Sequence, residues 1–275
     1  FAAVSELLGK TPLGHYCFNS QAPDIGNIEL LKDHASDQLK SEFLQPLISG
    51  EIRSCFGMTE PQRPGSNPTW MDTRAVRDGD DYVINGNKWF TSAADGASIC
   101  VVMAVTDPEA ENKYEQASMF VVPVDNPGFE VVRNIPVMGD VGEGYMSHGE
   151  TRLTDCRISA TNIIGKEGEG FILAQERLGP GRIHHCMRWI GICERAVALM
   201  CARASSRELS PNKFLSEKQT IQNWISESAA KIYGARLMVL DCAKKIEAHQ
   251  TKGARKEISM IKFHVADILM NVLDK

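Results

Sequence analysis

Cys55-Phe56-Gly57-Met58-Thr59-Glu60-Pro61, answered 28 residues after its proline by Trp89-Phe90-Thr91-Ser92, is the pairing on which the reading of this chain turns. Pro61 cannot donate to a sheet ladder, so it marks the end of a strand that carries the first piece. Side chains alternate along a strand. Trp89 and Thr91 are therefore expected on one face, a ring and a hydroxyl offered together to a flat ligand, with Phe90 on the other. Asn85-Gly86, between Tyr82-Val83-Ile84 and Trp89-Phe90, predicts a hairpin.

Outward from this pair, the period of the apolar residues is close to two from Ile52 to about Ile164. Short β-rich runs (Tyr82 to Ile84, Lys88 to Thr91, Ile99 to Val105, Ser118 to Val124, Phe129 to Val132, Thr151 to Ile158) alternate with turns such as Asp78-Gly79-Asp80 and Asn126-Pro127-Gly128. Residues 1–51 read as helical, with breakers at Ala22-Pro23-Asp24 and Gly26 and an apolar face of Leu30, Leu31, Leu39, Phe43, Leu44 and Leu47; Pro46 weakens the second helix or ends it early. Residues 165–275 read as long helices, the first opening at Gly179-Pro180-Gly181-Arg182 and the second capped by Ser216 with Gln219. The expected organisation is α+β: a partial N-terminal helical domain (1–51), a central antiparallel β domain (52–164) and an incomplete C-terminal helical bundle (165–275).

Composition narrows the classes of partner. The 275 residues carry 30 basic and 35 acidic side chains, a net charge of −5, so no basic field invites nucleic acid or anionic lipid. The longest apolar run, Ile99 to Val105, is far short of a membrane span. The eight cysteines include no C-x-x-C pair and no metal-ligand spacing, which reads as reduced thiols in a reducing compartment and no metal. Gly165, Gly168 and Gly170 lack the G-x-G-x-x-G spacing and a β-α-β context, so a nucleotide-binding glycine loop is rejected. Position 1 is Phe and the chain opens directly in a helical pattern, which reads as a fragment or a processed chain with any targeting peptide upstream.

The two opening pieces resemble the flavin-binding signature of the acyl-CoA dehydrogenases, C-x-x-T-E-P followed by W-[IF]-[TS]-[NS]. The run Gly179-Pro180-Gly181-Arg182-Ile183-His184-His185-Cys186-Met187-Arg188 resembles in particular the branch of family members 10 and 11. The resemblance covers essentially the whole chain, and the family's fold is longer at both ends. It implies FAD, with Phe56, Met58, Thr59, Ser66, Trp89, Thr91 and Ser92 as cofactor contacts, and Arg207 and Gln219 at the flavin pyrophosphate across a subunit interface. Ser66, Gly181 and Arg182 are the implied acyl-CoA contacts. The loop Gln62-Arg63-Pro64-Gly65-Ser66-Asn67 departs from the family's pattern, and Ser210-Pro211-Asn212 adds a residue before Gln219.

The implied reaction oxidises an acyl-CoA thioester to its 2-enoyl product, removing an α proton and a β hydride; it needs a base, an oxyanion site and a hydride acceptor. Electrons would pass to electron-transfer flavoprotein. Relatives carry the base either on the Gly181 helix or on a loop near the C-terminus; glycine cannot act, and Glu176 lies too far from Arg182, so the base is expected beyond Lys275. A homodimer or homotetramer is implied, cytoplasmic if bacterial and mitochondrial or peroxisomal if eukaryotic. Two rivals share the fold: an acyl-CoA oxidase that uses oxygen, and a non-catalytic binding or assembly protein. Adjacent histidines point about 100° apart on a helix, so His184 and His185 are packing or polar-lining residues and not a metal pair.

Overall fold

The computed structural model describes residues 1–275, except for the side chains of Pro180 and of residues 249–252. The helices before the sheet are α1 (Ala2–Gly9), α2 (Gly14–Cys17), α3 (Asp24–His34), α4 (Asp37–Leu39) and α5 (Gln45–Ser49). The strands that follow are β1 (Ser54–Gly57), β2 (Arg74–Asp78), β3 (Asp81–Ser92), β4 (Ile99–Val105), β5 (Ala117–Pro123), β6 (Phe129–Asn134), β7 (His148–Ser159) and β8 (Ile163–Ile164). Helix α6 (Gly170–Ser206), the small ribbon β9 (Glu208–Ser210) and β10 (Lys213–Phe214), and helices α7 (Gln219–Gly253) and α8 (Arg255–Leu273) complete the chain.

Two compact units result, Asn19–Leu178 and Phe1–Phe18 with Gly179–Lys275. In the first, the sheet order is β6-β7-β3-β2-β4-β5-β8, with β1 paired to β4. The pairings are antiparallel except that β1 and β2 both run parallel to β4. Strand β4 is buried along its whole length, as is β5 up to its terminal proline, which is why Ile99 to Val105 could be apolar without alternation. On one face, Ile99, Val101, Met103, Met119 and Val121 pack with Leu30, Leu31, Leu39 and Leu47 of the helices; on the other, Cys100, Val102, Ala104, Phe120 and Val122 pack with Tyr82, Ile84 and Leu153.

Three local expectations are corrected. Asn85-Gly86 makes no hairpin: β3 runs through it unbroken, and the hairpin lies at Asp78-Gly79-Asp80-Asp81, between β2 and β3. Gly86 answers instead to crowding, since a Cβ there would lie 2.3 Å from Thr73 Oγ1, and the register with β7 shifts between Ile84 and Gly86. Helix α6 begins at Gly170, not Gly179. Ser216 and Gln219 form no capping box either: the Gln219 amide donates to Asn223 Oδ1 at 3.0 Å, while Phe214 N–H donates to Glu217 Oε1 at 2.9 Å. Pro46 does have a local effect: the turn before it, Lys40–Leu44, is a π-turn, and α5 restarts with the proline in its first turn.

In the second unit, Ile183, Cys186, Met187 and Ile190 of α6 pack with Ile232, Ala235 and Val239 of α7 and Ile258, Ile261 and Val265 of α8. Residues 1–18 belong to this unit through specific pairs, among them Arg236 with Glu6 at 2.8 Å and Ser5 Oγ, which donates to the His184 carbonyl at 3.2 Å.

Candidate functional site

Strand β1 delivers its side chains alternately: Cys55 enters the core with Tyr82 and Phe120, while Phe56 packs towards the helices. After Gly57 the chain leaves the sheet, and it returns at Thr73, whose carbonyl accepts from Val105 N–H at 2.8 Å. Met58, Thr59 and Glu60 begin this excursion and are fastened to the middle of β3. Trp89 N–H donates to the Thr59 carbonyl at 3.0 Å, and Thr59 Oγ1 donates to the Trp89 carbonyl at 2.8 Å. The two quoted pieces of sequence are thus in direct contact.

Beneath that contact lies a fully buried ammonium. Lys88 Nζ donates to Glu60 Oε1 at 2.8 Å and to the Met58 carbonyl at 3.0 Å. Glu60 also accepts the N–H groups of Asp72 and Thr73, at 2.5 and 2.9 Å. Burial alone would raise the Glu60 carboxyl, but the Lys88 charge and these hydrogen bonds outweigh it and hold the group below the usual carboxylate range. Burial pulls Lys88 down, with Glu60 opposing.

The strand does not alternate as expected through the second piece. Phe90 has φ +48°, and the register with β7 shifts between Lys88 and Thr91. This bulge turns the exposed Phe90 ring to meet Trp89 edge to face at 4.9 Å, so Phe90 does not face the other way. Thr91 is completely buried, and its Oγ1 has no hydrogen-bond partner among the described residues. Ser92 Oγ bonds His148 Nδ1 at 2.9 Å.

Phe56 is held from the side by residues that sequence reasoning did not single out. The Arg177 guanidinium lies 4.0 Å from the Phe56 ring centre, and its Nε donates to Asn27 Oδ1 at 2.9 Å. Asn27 Nδ2 in turn donates to Ser54 Oγ and the Cys55 carbonyl, and Asp24 accepts from the Ser54 N–H and hydroxyl at 2.8 and 2.6 Å. Burial lowers Arg177 to about 10, the nearby Glu29 carboxylate offsetting part of the effect.

The remaining expected contacts are placed separately. Ser66 is exposed on the loop after Pro61, where Arg63 is drawn into a bidentate pair with Asp72, 2.7 Å for each bond, and stacks 4.6 Å from the centre of Trp70. Gly181, half-buried, has open space where a Cβ would stand. Since α6 starts at Gly170, Arg182 sits in the helix interior and not at free N–H groups. Glu176 is engaged by His34 Nε2 at 3.0 Å. Arg207 and Gln219 are exposed; the Arg207 carbonyl closes the β9–β10 ribbon by accepting from Leu215 N–H at 2.9 Å. Gly168 and Gly170 are required by close packing, since a Cβ would meet the Glu115 carbonyl oxygen at 2.8 Å and that of Ala117 at 2.7 Å.

Comparison with known proteins decides the family. The acyl-CoA dehydrogenase middle domain matches residues 55–156, and the acyl-CoA dehydrogenase C-terminal domain matches residues 168–275. A putative acyl-CoA dehydrogenase from Mycobacterium abscessus has the same fold with a TM-score of 0.94 at 37% identity, over 99% of this chain and 67% of that one. The chain belongs to the acyl-CoA dehydrogenase family. Acyl-CoA dehydrogenase family member 11 of Gallus gallus is 41% identical over 100% of this chain, which spans about a third (35%) of that relative's length. A glutaryl-CoA dehydrogenase of Mycobacterium smegmatis, solved in complex with FADH2, matches with a TM-score of 0.79 at 26% identity, over 90% of this chain and 60% of that one. Among the described residues, no helix is long and apolar enough to cross a membrane.

Proposed function

We propose that the protein is an FAD-dependent acyl-CoA dehydrogenase that forms a 2-enoyl-CoA and passes electrons to electron-transfer flavoprotein. The observation that carries this reading is the Thr91 hydroxyl, buried and unbonded among the described residues beside the strand end that Thr59 and Trp89 fasten together. A hydroxyl kept from water without a partner costs about 1–3 kcal/mol. An acceptor atom on a flat ring laid against Trp89 would remove that cost. Thr91 is covered, so the ring enters by moving a neighbour; the half-buried Trp89 and exposed Phe90 are adjacent to it in the strand.

Phe56, Met58 and Thr59 would hold the flavin along the strand end, Trp89 would pack beside it, and Ser92, fixed by His148, would close the far side. When bound, FAD supplies the hydride acceptor that no side chain can be. The chain's own part is to orient the acyl group and exclude water. Arg207 and Gln219 are proposed at the pyrophosphate, and Ser66, Gly181 and Arg182 at the acyl-CoA. No residue of this chain is assigned as the base.

Anaerobic addition of acyl-CoAs of graded chain length to the FAD-loaded full-length protein tests the reading. Stoichiometric bleaching of the flavin is expected. No bleaching with any of them sinks the proposal, and rapid peroxide formation in air at the turnover rate replaces it with an oxidase.

A further inference from the structure

We propose that Lys88 is a positioning residue, whose buried ammonium joins the Met58 carbonyl to the Glu60 carboxylate and so sets the spacing of Met58 and Thr59 against Trp89. The inference rests on the flavin reading above, in which these three residues face the ring. Three observations support it.

Lys88 is fully buried, and among the described residues its ammonium donates to two oxygens, both on the segment that has just left the sheet, with Met71 Sδ at 3.9 Å besides. Its stem is enclosed as well: a Cβ on Gly57 would lie 3.3 Å from Lys88 Cγ, so glycine leaves the room in which the lysine runs under the strand end. Glu60, the acceptor, also takes the N–H groups of Asp72 and Thr73. One carboxylate therefore ties both ends of the excursion at its neck, and one ammonium ties that neck to β3 next to Trp89.

Stability alone does not account for this arrangement. Desolvating two charges consumes most of what their attraction returns, and buried ion pairs can be replaced by apolar residues of like volume with little loss. What an apolar replacement lacks is direction. Charge-assisted hydrogen bonds are shorter and about twice as strong as neutral ones, and a ligand gripped by backbone groups on two separate segments requires that those segments keep one spacing. Lys88 and Trp89 are consecutive, so the residue that sets the spacing and the residue that packs on the ring move as one.

The test compares FAD-loaded wild type with two variants, Glu60→Gln/Lys88→Met and Glu60→Asp. In the first, the methionine side chain fills the space of the lysine stem and the new amide oxygen accepts from one of the Asp72 and Thr73 N–H groups, which the carboxylate takes on separate oxygens, so the links made by the ammonium and one backbone hydrogen bond are lost. In the second, the charges remain but the acceptor is drawn back. Three quantities are measured: melting temperature, FAD dissociation constant, and the visible absorption bands of the bound flavin. Melting within a few degrees of wild type is expected, with an FAD dissociation constant raised about tenfold or more and shifted flavin bands. A variant that folds, binds FAD within twofold of wild type and shows unshifted bands overturns the inference. Failure of both variants to fold overturns it too, since the pair would then serve the fold itself. If wild type binds no FAD, the flavin reading falls first and this inference with it, an outcome distinct from the other two.

Discussion

Thr59 and Trp89 hold each other by a reciprocal pair of hydrogen bonds, the Trp89 N–H to the Thr59 carbonyl and the Thr59 hydroxyl to the Trp89 carbonyl, at 3.0 and 2.8 Å. Thr59→Val keeps the shape and removes one of the two. A stability loss of about 1 kcal/mol is expected in denaturant titration. FAD affinity should fall as well, read from flavin fluorescence. Unchanged affinity in the folded variant would show that the hydroxyl serves only the join.

Thr91→Val separates ligand from fold in the opposite sense. The hydroxyl it removes is buried and unbonded among the described residues, so the FAD-free protein should melt at the same temperature as wild type or higher. The FAD-loaded protein should lose affinity. A variant equally destabilised with and without FAD would place an internal partner on Thr91.

Gly86→Ala and Gly79→Ala test why glycine occupies each position. A Cβ at Gly86 would collide with Thr73 backbone and side-chain atoms at 2.3 to 2.7 Å, and overpacking of this kind costs about 3 kcal/mol. At Gly79, with φ +64° and nothing within 4 Å, the cost is conformational only, about 1 kcal/mol. Comparing urea midpoints decides the order; a larger loss at Gly79 would contradict the crowding account.

Acid should destabilise the helical unit before the carboxylates titrate. Burial, reinforced by the Arg188 charge, lowers His15 and His184 to about 4; burial, then Lys262 and Arg188, lowers His185 to about 4. Each binds a proton in the unfolded chain, near pH 6.5, that the folded chain refuses until about pH 4, so stability falls as pH drops across that window. In the sheet unit the loss comes lower, because the lowered folded value of Glu60 contributes stability above pH 4.5 that disappears as pH falls through that value. Melting temperature from pH 7 to 4 should show the decline, and His15→Gln should make it shallower. A flat profile down to pH 5 would exclude the histidines as its cause.

The sequence displayed some of these features directly and concealed others for identifiable reasons. The β4 run was visible because a strand buried on both faces has no alternation to disguise it. Lys88 is legible too: Tyr82, Ile84 and Lys88 share one parity of β3, and a lysine on a buried face requires an anion. Asn85-Gly86 misled because its dipeptide is a turn signal, whereas Asn85 is spent on Asp155 across the sheet and Gly86 on Thr73. Gly179-Pro180-Gly181 misled in the same way, as local breakers that lie inside helix α6. Arg177 was beyond reach: only the tertiary fold brings it to Asn27 and Phe56.

That last separation bears on the order in which the molecule is made. Arg177 bonds to Asn27 across 150 residues, so a chain growing from its N-terminus exposes Asp24, Asn27 and Phe56 well before their brace is synthesised. Until then the Phe56 ring lacks its cation, and the links of Arg177 to Asn27 and to the Pro23 carbonyl, which span 150 residues or more, form late. If this strand end holds the flavin as proposed, it is completed only when the first turns of α6 have been added, and cofactor loading is then expected late in the biogenesis of this protein.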